Sequence, residues 1–168
     1  MSTAWINVAL VPAIQRSERS DLVAVASRNL ENAQNFAQEN NIPEAYGSYE
    51  SLLDDALVDV IYNPLPNSLH CEWTVKAAQS GKHVLCEKPM VISLTELSAV
   101  ETAARDNSVL VVEAYAYMHH PQLQRILALI ESNDLGDLYH FTGWDTFPLP
   151  ESDSNYRYDL AMGGGSLW

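Results

Sequence analysis

The segment His83-Val84-Leu85-Cys86-Glu87-Lys88-Pro89 joins a short apolar run to an acid, a base and a proline. The apolar run predicts a buried strand. Packing does not explain the acid, the base and the proline, because Lys is rarely fully buried and Pro has no N–H to donate within a sheet. The strand therefore ends at Cys86, and the Lys88 ammonium group is held at its carboxyl end. Since ligands of open α/β sheets bind in the crevice at that edge, we interpret the segment as part of a functional site.

Strand and helix patterns alternate along most of the chain. Continuous apolar runs predict buried strands at 22–26, 58–62, 83–86 and 109–112. Helical spacing of apolar residues predicts helices around 30–37, from 69 to a stop at Gly81, and after the capping box Ser93-Leu94-Thr95-Glu96. Because helices of this length join parallel strands, the predicted fold class is α/β, with a doubly wound parallel sheet.

The pattern changes beyond the last of these strands. Amphipathic spacing predicts a helix that begins behind Pro121 and ends near Gly136, and the aromatic residues of 139–144 predict a further strand. We therefore divide the chain into a first domain at 1–113 and the beginning of a second, α+β domain at 114–168.

Composition narrows the class of protein. The 168 residues are 47% hydrophobic, which suits a globular domain, and a net charge of -13 argues against nucleic acid or an anionic membrane surface as a partner. We identify no membrane span and no signal peptide. Cys71 and Cys86 do not form a disulfide framework, so we expect reduced thiols in a cytoplasmic protein. His119 and His120 are adjacent and would point apart in a strand, so we predict no metal site.

Four motifs occur in a distinctive order along the sequence. They are Pro66-Asn67-Ser68-Leu69-His70, the stretch from Gly81 to Pro89, Glu113-Ala114, and Gly163-Gly164-Gly165-Ser166-Leu167-Trp168. Together they resemble the Gfo/Idh/MocA oxidoreductases, and the resemblance covers essentially the whole chain. In detail the chain is most similar to the family's sugar and dihydrodiol dehydrogenase branch, which uses NADP. The resemblance implies hydride transfer between a nicotinamide cofactor and a CH–OH or C=O group of a sugar, polyol or diol.

The resemblance assigns the central chemistry to Lys88. This residue corresponds to the family's catalytic lysine, which hydrogen-bonds the reacting oxygen and transfers its proton. Glu87 corresponds to a residue that contacts the nicotinamide ribose, and the Lys88–Pro89 peptide bond is often cis in the family. The structural alternatives are a surface lysine at a strand end and an exposed acid.

Ser27 and Arg28 bear on the choice between NADP and NAD. In the fold that the resemblance implies, they follow a strand after which an NAD enzyme carries an Asp or Glu for the ribose 2′-OH. A hydroxyl and a guanidinium favour a 2′-phosphate instead, so we predict NADP rather than NAD. The alternative is that Ser27 is a helix N-cap and Arg28 a solvated residue of the first turn.

The resemblance implies further cofactor contacts after the 58–62 strand. The family flanks its cofactor with this segment, which here supplies Asn63, Pro64, Leu65, Asn67 and His70. A structural role is equally open for two of them, because Asn67 is a good helix N-cap and His70 can be a satisfied structural histidine.

The resemblance also implies parts that the sequence lacks. Family members begin with a strand and a G-x-G-x-x-G turn, and the sequence contains no such turn. Ala4, Trp5 and Ile6 would leave that turn, contact the cofactor and enter the first helix. We therefore expect a fragment of a longer enzyme, truncated at both ends. In it, the 22–26 strand lacks one neighbour in the sheet.

The resemblance places candidate substrate residues in the second domain. Tyr117 and Arg157 are these candidates, whereas Met118 stands where the family often has an Arg. The substrate would be a small carbohydrate or diol, and the full-length form a homo-oligomer. Two other functions stay open: a non-catalytic nucleotide- or sugar-binding module, and an inactive truncated relic.

Overall fold

The computed structural model describes residues 7–144, 146 and 158–164, which form parts of two compact units. The first unit comprises Met1–Ala114 and Tyr156–Trp168, and the second comprises Tyr115–Asn155. The division falls beside the boundary that the sequence indicates, although the described segment 158–164 joins the first unit. The assignment of cofactor and substrate functions to the two regions stays a prediction.

Helices and strands alternate through the first unit. The helices are α1 (Asn7–Gln15), α2 (Leu30–Glu39), α3 (Tyr49–Leu53), α4 (Asn67–Gln79) and α5 (Leu94–Asp106). The strands are β1 (Ala24–Ala26), β2 (Glu44–Tyr46), β3 (Val60–Asn63), β4 (His83–Cys86) and β5 (Val111–Glu113). A short 3₁₀ helix at Leu160–Met162 completes the described part of this unit.

All strand pairs in the described chain are parallel. One sheet has the order β1-β2, and the other has the order β3-β4-β5. The predicted α/β class with parallel strands is therefore confirmed. Within the described residues β1 pairs only with β2, as expected for a strand that lacks one neighbour.

The observed strands refine the predicted ones. β4 has the predicted bounds, while β1 is shorter than its apolar run and both β3 and β5 begin two residues later than predicted. β2 and α3 are not among the elements that the sequence predicts. β2 has only three residues, none of them buried, and α3 is a five-residue helix capped by Ser48, so neither carries a long apolar pattern.

Local capping explains where the helices flanking β4 begin and end. Gly81 follows α4 with a φ of 74°, a left-handed conformation that glycine adopts without strain. The predicted capping box opens α5, because Ser93 Oγ accepts a hydrogen bond from the Glu96 amide at 3.2 Å. The Glu96 carboxylate accepts in return from the Ile92 amide at 2.7 Å. The end of α4 and the start of α5 therefore fix the position of β4 and of the turn after it.

One hydrophobic cluster joins the two sheets of the first unit. It brings Ala24 and Ala26 of β1 together with Ile61 of β3 and Val84 and Cys86 of β4. Cys86 is fully buried, and this burial raises the pKa of its thiol to about 12. Both cysteines are free thiols, and the buried one acts as a small apolar side chain of the core.

The second unit contains a 3₁₀ helix at Ala116–His119 followed by α6 (Pro121–Glu131). His120 caps α6 by accepting from the Gln122 amide, so the predicted helix behind Pro121 is confirmed. The predicted strand at 139–144 is wrong: the segment is irregular, and its aromatic rings are almost fully exposed. A strand needs a partner for its backbone groups, and no described strand pairs with this segment.

No helix in the described part of the chain has the length and apolarity needed to cross a bilayer.

Candidate functional site

Polar side chains gather where the three strands of the larger sheet end. Asn63 ends β3, Glu87 and Lys88 directly follow β4, and Glu113 ends β5. The register places Asn63 opposite Cys86 and Cys86 opposite Glu113, so these carboxyl ends lie side by side. This edge is where parallel α/β sheets bind ligands.

The turn from Glu87 to Met90 is held by side chains from its neighbours. Its Lys88–Pro89 peptide bond is cis, as the resemblance implied. The Met90 amide donates to Glu113 Oε1 at 2.8 Å, and a ring nitrogen of His70 lies 2.7 Å from the Pro89 carbonyl oxygen. The backbone of the two residues that follow Lys88 is therefore fixed to both α4 and β5.

Glu87, the residue before Lys88, is also held by hydrogen bonds. The Tyr62 hydroxyl donates to Glu87 Oε1 at 2.8 Å, and the Lys88 amide donates to Glu87 Oε2 at 3.3 Å. Burial raises the pKa of Tyr62 well above its usual range, and the hydrogen bond to Glu87 adds to this. Tyr62 therefore stays a protonated donor, and Glu87 presents an oriented, half-buried carboxylate.

Lys88 itself is exposed, unlike the residues that surround its backbone. Its side chain leaves a turn whose flanking positions are tied to Tyr62, His70 and Glu113. The structure thus places Lys88, with an exposed side chain, directly after the carboxyl end of β4. A cation on a fixed backbone can donate a hydrogen bond to an oxygen atom of a ligand in this crevice.

His70 links this turn to the loop after β3. Its ring is 1% exposed, and its other nitrogen lies 2.5 Å from the Leu65 carbonyl oxygen. Carbonyl oxygens only accept, so a neutral ring donates to one of them and a protonated ring to both. Because both nitrogens face protein atoms, the geometry favours the structural role that the sequence left open.

Asn63 is also engaged within the protein. Its side-chain nitrogen donates to the His70 carbonyl at 3.1 Å and to Thr74 Oγ1 at 3.2 Å, and its oxygen accepts from the Leu65 amide at 3.3 Å. Pro64 and Leu65 are buried beside it. The amide of Asn63 therefore fixes the loop after β3 to α4.

Asn67 does not cap α4. Pro66 occupies the N-cap position, which places Asn67 in the first turn and frees its side chain. The Asn67 amide nitrogen donates to the Gly163 carbonyl at 2.8 Å. Asn67 therefore joins the start of α4 to the segment 158–164. The alternative that Asn67 is the N-cap of this helix is wrong.

Ser27 and Arg28 lie beyond the end of β1. Asn29 caps α2 by accepting from the Asn32 amide at 3.1 Å, so the alternative of Ser27 as N-cap is wrong. Ser27 Oγ accepts instead from the Asn29 amide at 3.3 Å. The arrangement leaves Arg28 exposed, with a guanidinium that could hold a phosphate group.

Tyr49 is a neighbour of Arg28 that the sequence analysis did not identify. Burial raises the pKa of its hydroxyl, and the nearby Arg28 guanidinium opposes that shift. The Tyr49 ring packs edge-on against Trp73 with centroids 4.8 Å apart. Arg28 thus stands beside an aromatic surface that α4 supports.

Tyr62 and Glu113 were also missed, although the sequence carried a signal for each. A tyrosine inside a buried strand needs a partner for its hydroxyl, and Glu87 follows the adjacent strand by one residue. Glu113 entered the sequence analysis only as part of the Glu113-Ala114 motif. Its signal was a carboxylate at the end of a strand, which is suited to accept a hydrogen bond from a backbone N–H of a neighbouring turn.

The structure does not place the remaining predicted residues in this site. Ala4, Trp5, Ile6 and Arg157 lie outside the residues that the structure describes. Tyr117 lies in the 3₁₀ helix of the second unit, where its exposed ring meets Tyr115 with centroids 5.5 Å apart. Among the described residues no group of three His, Cys, Asp or Glu side chains could hold a metal ion.

Comparisons with known proteins identify relatives among oxidoreductases with a Rossmann fold. The model of the Gfo/Idh/MocA oxidoreductase family, described as having an NAD-binding Rossmann fold, matches residues 4–115. D-xylose 1-dehydrogenase (NADP(+)) 2 of Haloferax volcanii is 42% identical over 168 residues, which cover 99% of this chain and 51% of that protein. A trans-1,2-dihydrobenzene-1,2-diol dehydrogenase of Xenopus tropicalis is 33% identical, over 96% of this chain and 47% of that protein.

A solved structure shows the same fold. The 3-ketoreductase KijD10 from Actinomadura kijaniata, crystallised with TDP-benzene and NADP in an open conformation, matches with a TM-score of 0.73 and 31% identity. The match covers 79% of this chain and 42% of that one. The chain thus spans about half the length of the curated relatives that it matches.

Gly163 offers a test of the contact between α4 and the segment 158–164. A Cβ at Gly163 would lie 2.9 Å from the Asn67 Cβ, and its φ is 74°. We expect Gly163→Ala to raise hydrogen exchange across 158–164 by about tenfold or more, since strain and a clash both oppose the contact. Gly81→Ala is the matched control, because Gly81 has the same φ with open space around it. Equal exchange in the two variants would contradict this assignment.

Proposed function

The chain belongs to the Gfo/Idh/MocA oxidoreductase family, with an NAD-binding Rossmann fold, and we propose that it carries the catalytic lysine of an NADP-dependent dehydrogenase or reductase. The group acted on is a CH–OH or C=O centre of a sugar, polyol or diol. One observation carries the proposal: an exposed Lys88 stands on a fixed turn at the ligand-binding edge of the parallel sheet. The names of the xylose and dihydrodiol dehydrogenases that the chain resembles support it.

NADP is the proposed cofactor, and NAD is the less suitable one. Arg28 is exposed beyond β1 and can hold the 2′-phosphate with two parallel hydrogen bonds. Ser27 lies next to it at the same strand end. The NADP in the names of the Haloferax enzyme and the Actinomadura complex supports this choice.

Lys88 is the proposed proton-transfer residue. The cofactor would supply hydride-transfer chemistry when bound, and Lys88 would hydrogen-bond the reacting oxygen. In the reducing direction the Lys88 ammonium would donate a proton to that oxygen, and in the oxidising direction the neutral Lys88 amine would accept the proton of the substrate hydroxyl. The Glu87 carboxylate would accept a hydrogen bond from the nicotinamide ribose of the bound cofactor.

Other parts of the site complete the proposal. Asn63, Pro64, Leu65, Asn67 and His70 shape the loop that flanks the cofactor, and Ala4, Trp5 and Ile6 are further proposed cofactor contacts. Tyr117 and Arg157 are the proposed substrate residues. The full-length protein is a homo-oligomer.

Removal of the Arg28 guanidinium tests the cofactor. We expect Arg28→Ala to weaken NADPH binding about 10- to 100-fold, since hydrogen bonds between charged groups are lost, and to leave the weaker NADH binding unchanged. Isothermal titration calorimetry measures both. Arg105→Ala is the control, because Arg105 lies in the last turn of α5 and pairs with Asp106. Equal loss of NADPH and NADH affinity would contradict the role of Arg28.

Removal of the Lys88 amine tests the chemistry. We expect Lys88→Met to bind NADPH within about twofold of the unchanged chain and to lose turnover about 100-fold or more. Absorbance of NADPH, followed with NADP⁺ and either D-xylose or a trans-dihydrodiol, measures turnover. Lys76→Met is the control, since Lys76 pairs with Glu72 on the exposed face of α4. Cofactor binding without turnover of any sugar or diol by the unchanged chain would instead favour a non-catalytic binding module.

A further inference from the structure

Tyr62 and Glu87 form a hydrogen-bonded pair at the edge where Lys88 stands. Tyr62 is 6% exposed on β3, and its hydroxyl lies 2.8 Å from Glu87 Oε1. The parallel register explains how they meet: Tyr62 lies opposite Leu85, and Glu87 is the first residue after β4, where its amide donates to the Asn63 carbonyl of β3 at 2.9 Å. The pair therefore joins β3 to the first residue of a turn whose backbone is hydrogen-bonded to the sheet.

We propose that Tyr62 is a positioning residue that orients Glu87 toward the nicotinamide ribose of the bound cofactor. This inference rests on the proposed function. Neither Tyr62 nor any other residue of β3 before Asn63 was a candidate for the site on the basis of sequence.

The hydroxyl, and not the ring, carries this role. A phenylalanine at position 62 packs the same ring but offers no donor to the carboxylate. Glu87 would then keep only the 3.3 Å hydrogen bond from the Lys88 amide, which is at the long end for an N–H···O contact. The freed carboxylate can rotate toward water or toward the neighbouring Lys88 ammonium, and either movement removes the acceptor from the ribose.

The position of Glu87 beside Lys88 makes the effect specific to one end of the cofactor. Arg28, the proposed 2′-phosphate ligand, follows β1, a strand of the other sheet. Loss of the Tyr62 hydroxyl should therefore weaken contacts with the nicotinamide half and leave the phosphate-bearing adenosine half unaffected.

Two ligands separate these halves in one titration experiment. NADPH contains both, whereas adenosine 2′,5′-bisphosphate contains the 2′-phosphate and lacks the nicotinamide ribose. We expect Tyr62→Phe to weaken NADPH binding about three- to tenfold, as for loss of one hydrogen bond, and to leave binding of the bisphosphate within about twofold. A general structural defect would weaken both ligands.

Tyr46→Phe is the matched control. The Tyr46 hydroxyl donates to Asp55 Oδ2 at 3.0 Å, so this variant removes the same kind of tyrosine–carboxylate hydrogen bond at another place. We expect it to leave the affinities for both ligands unchanged. A selective loss of NADPH affinity in Tyr46→Phe would overturn the inference.

Glu87→Ala tests the pair from the other side. It should reproduce the selective loss of NADPH affinity, and adding Tyr62→Phe to it should have no further effect, because Tyr62 acts through Glu87. Additive losses in the double variant, or equal NADPH affinity in the unchanged chain and Tyr62→Phe, would overturn the positioning role alone. Absence of NADPH binding by the unchanged chain would overturn the proposed function and, with it, this inference.

Discussion

The site depends on how the backbone leaves β4. Between Cys86 and Met90 the chain turns away from the sheet, and its polar groups need partners there. Tyr62 from β3, His70 from α4 and Glu113 from β5 hold that turn at distances of 2.7–2.8 Å. Lys88 is consequently the exposed side chain of a fixed backbone, which is the property that a proton-transfer residue needs.

The hydrogen-bond pattern separates supporting residues from those that remain available to a ligand. The amide of Asn63 and the ring of His70 are occupied by protein atoms, whereas Arg28 and Lys88 are exposed at the ends of different strands. The two cations are suited to different groups: a guanidinium to a phosphate, and an ammonium to a single oxygen atom. This division fits a cofactor that extends along the carboxyl edge, with its phosphate near β1 and its reactive ring near β4.

The sequence predicted the elements with long apolar runs and the residues with a distinctive motif. β4 and the turn after it were found because Glu87, Lys88 and Pro89 are incompatible with a continuing strand. β2 was missed because its three residues, none of them buried, carry no apolar period. The predicted strand at 139–144 was wrong because propensity says nothing about a pairing partner. For Tyr62 the sequence signals only that a tyrosine in a buried strand needs a partner for its hydroxyl, whereas the identity of that partner depends on strand register, which a single sequence does not reveal.

The central claim is that NADP lies across the carboxyl edge with its nicotinamide at Lys88. A crystal structure of this chain with NADP⁺ tests it most directly. We predict that the 2′-phosphate hydrogen-bonds Arg28, that a nicotinamide ribose hydroxyl donates to Glu87, and that the nicotinamide ring lies beside the Lys88 ammonium. A cofactor bound elsewhere, or one whose nicotinamide points away from Lys88 while Glu87 contacts no ribose, would contradict the claim.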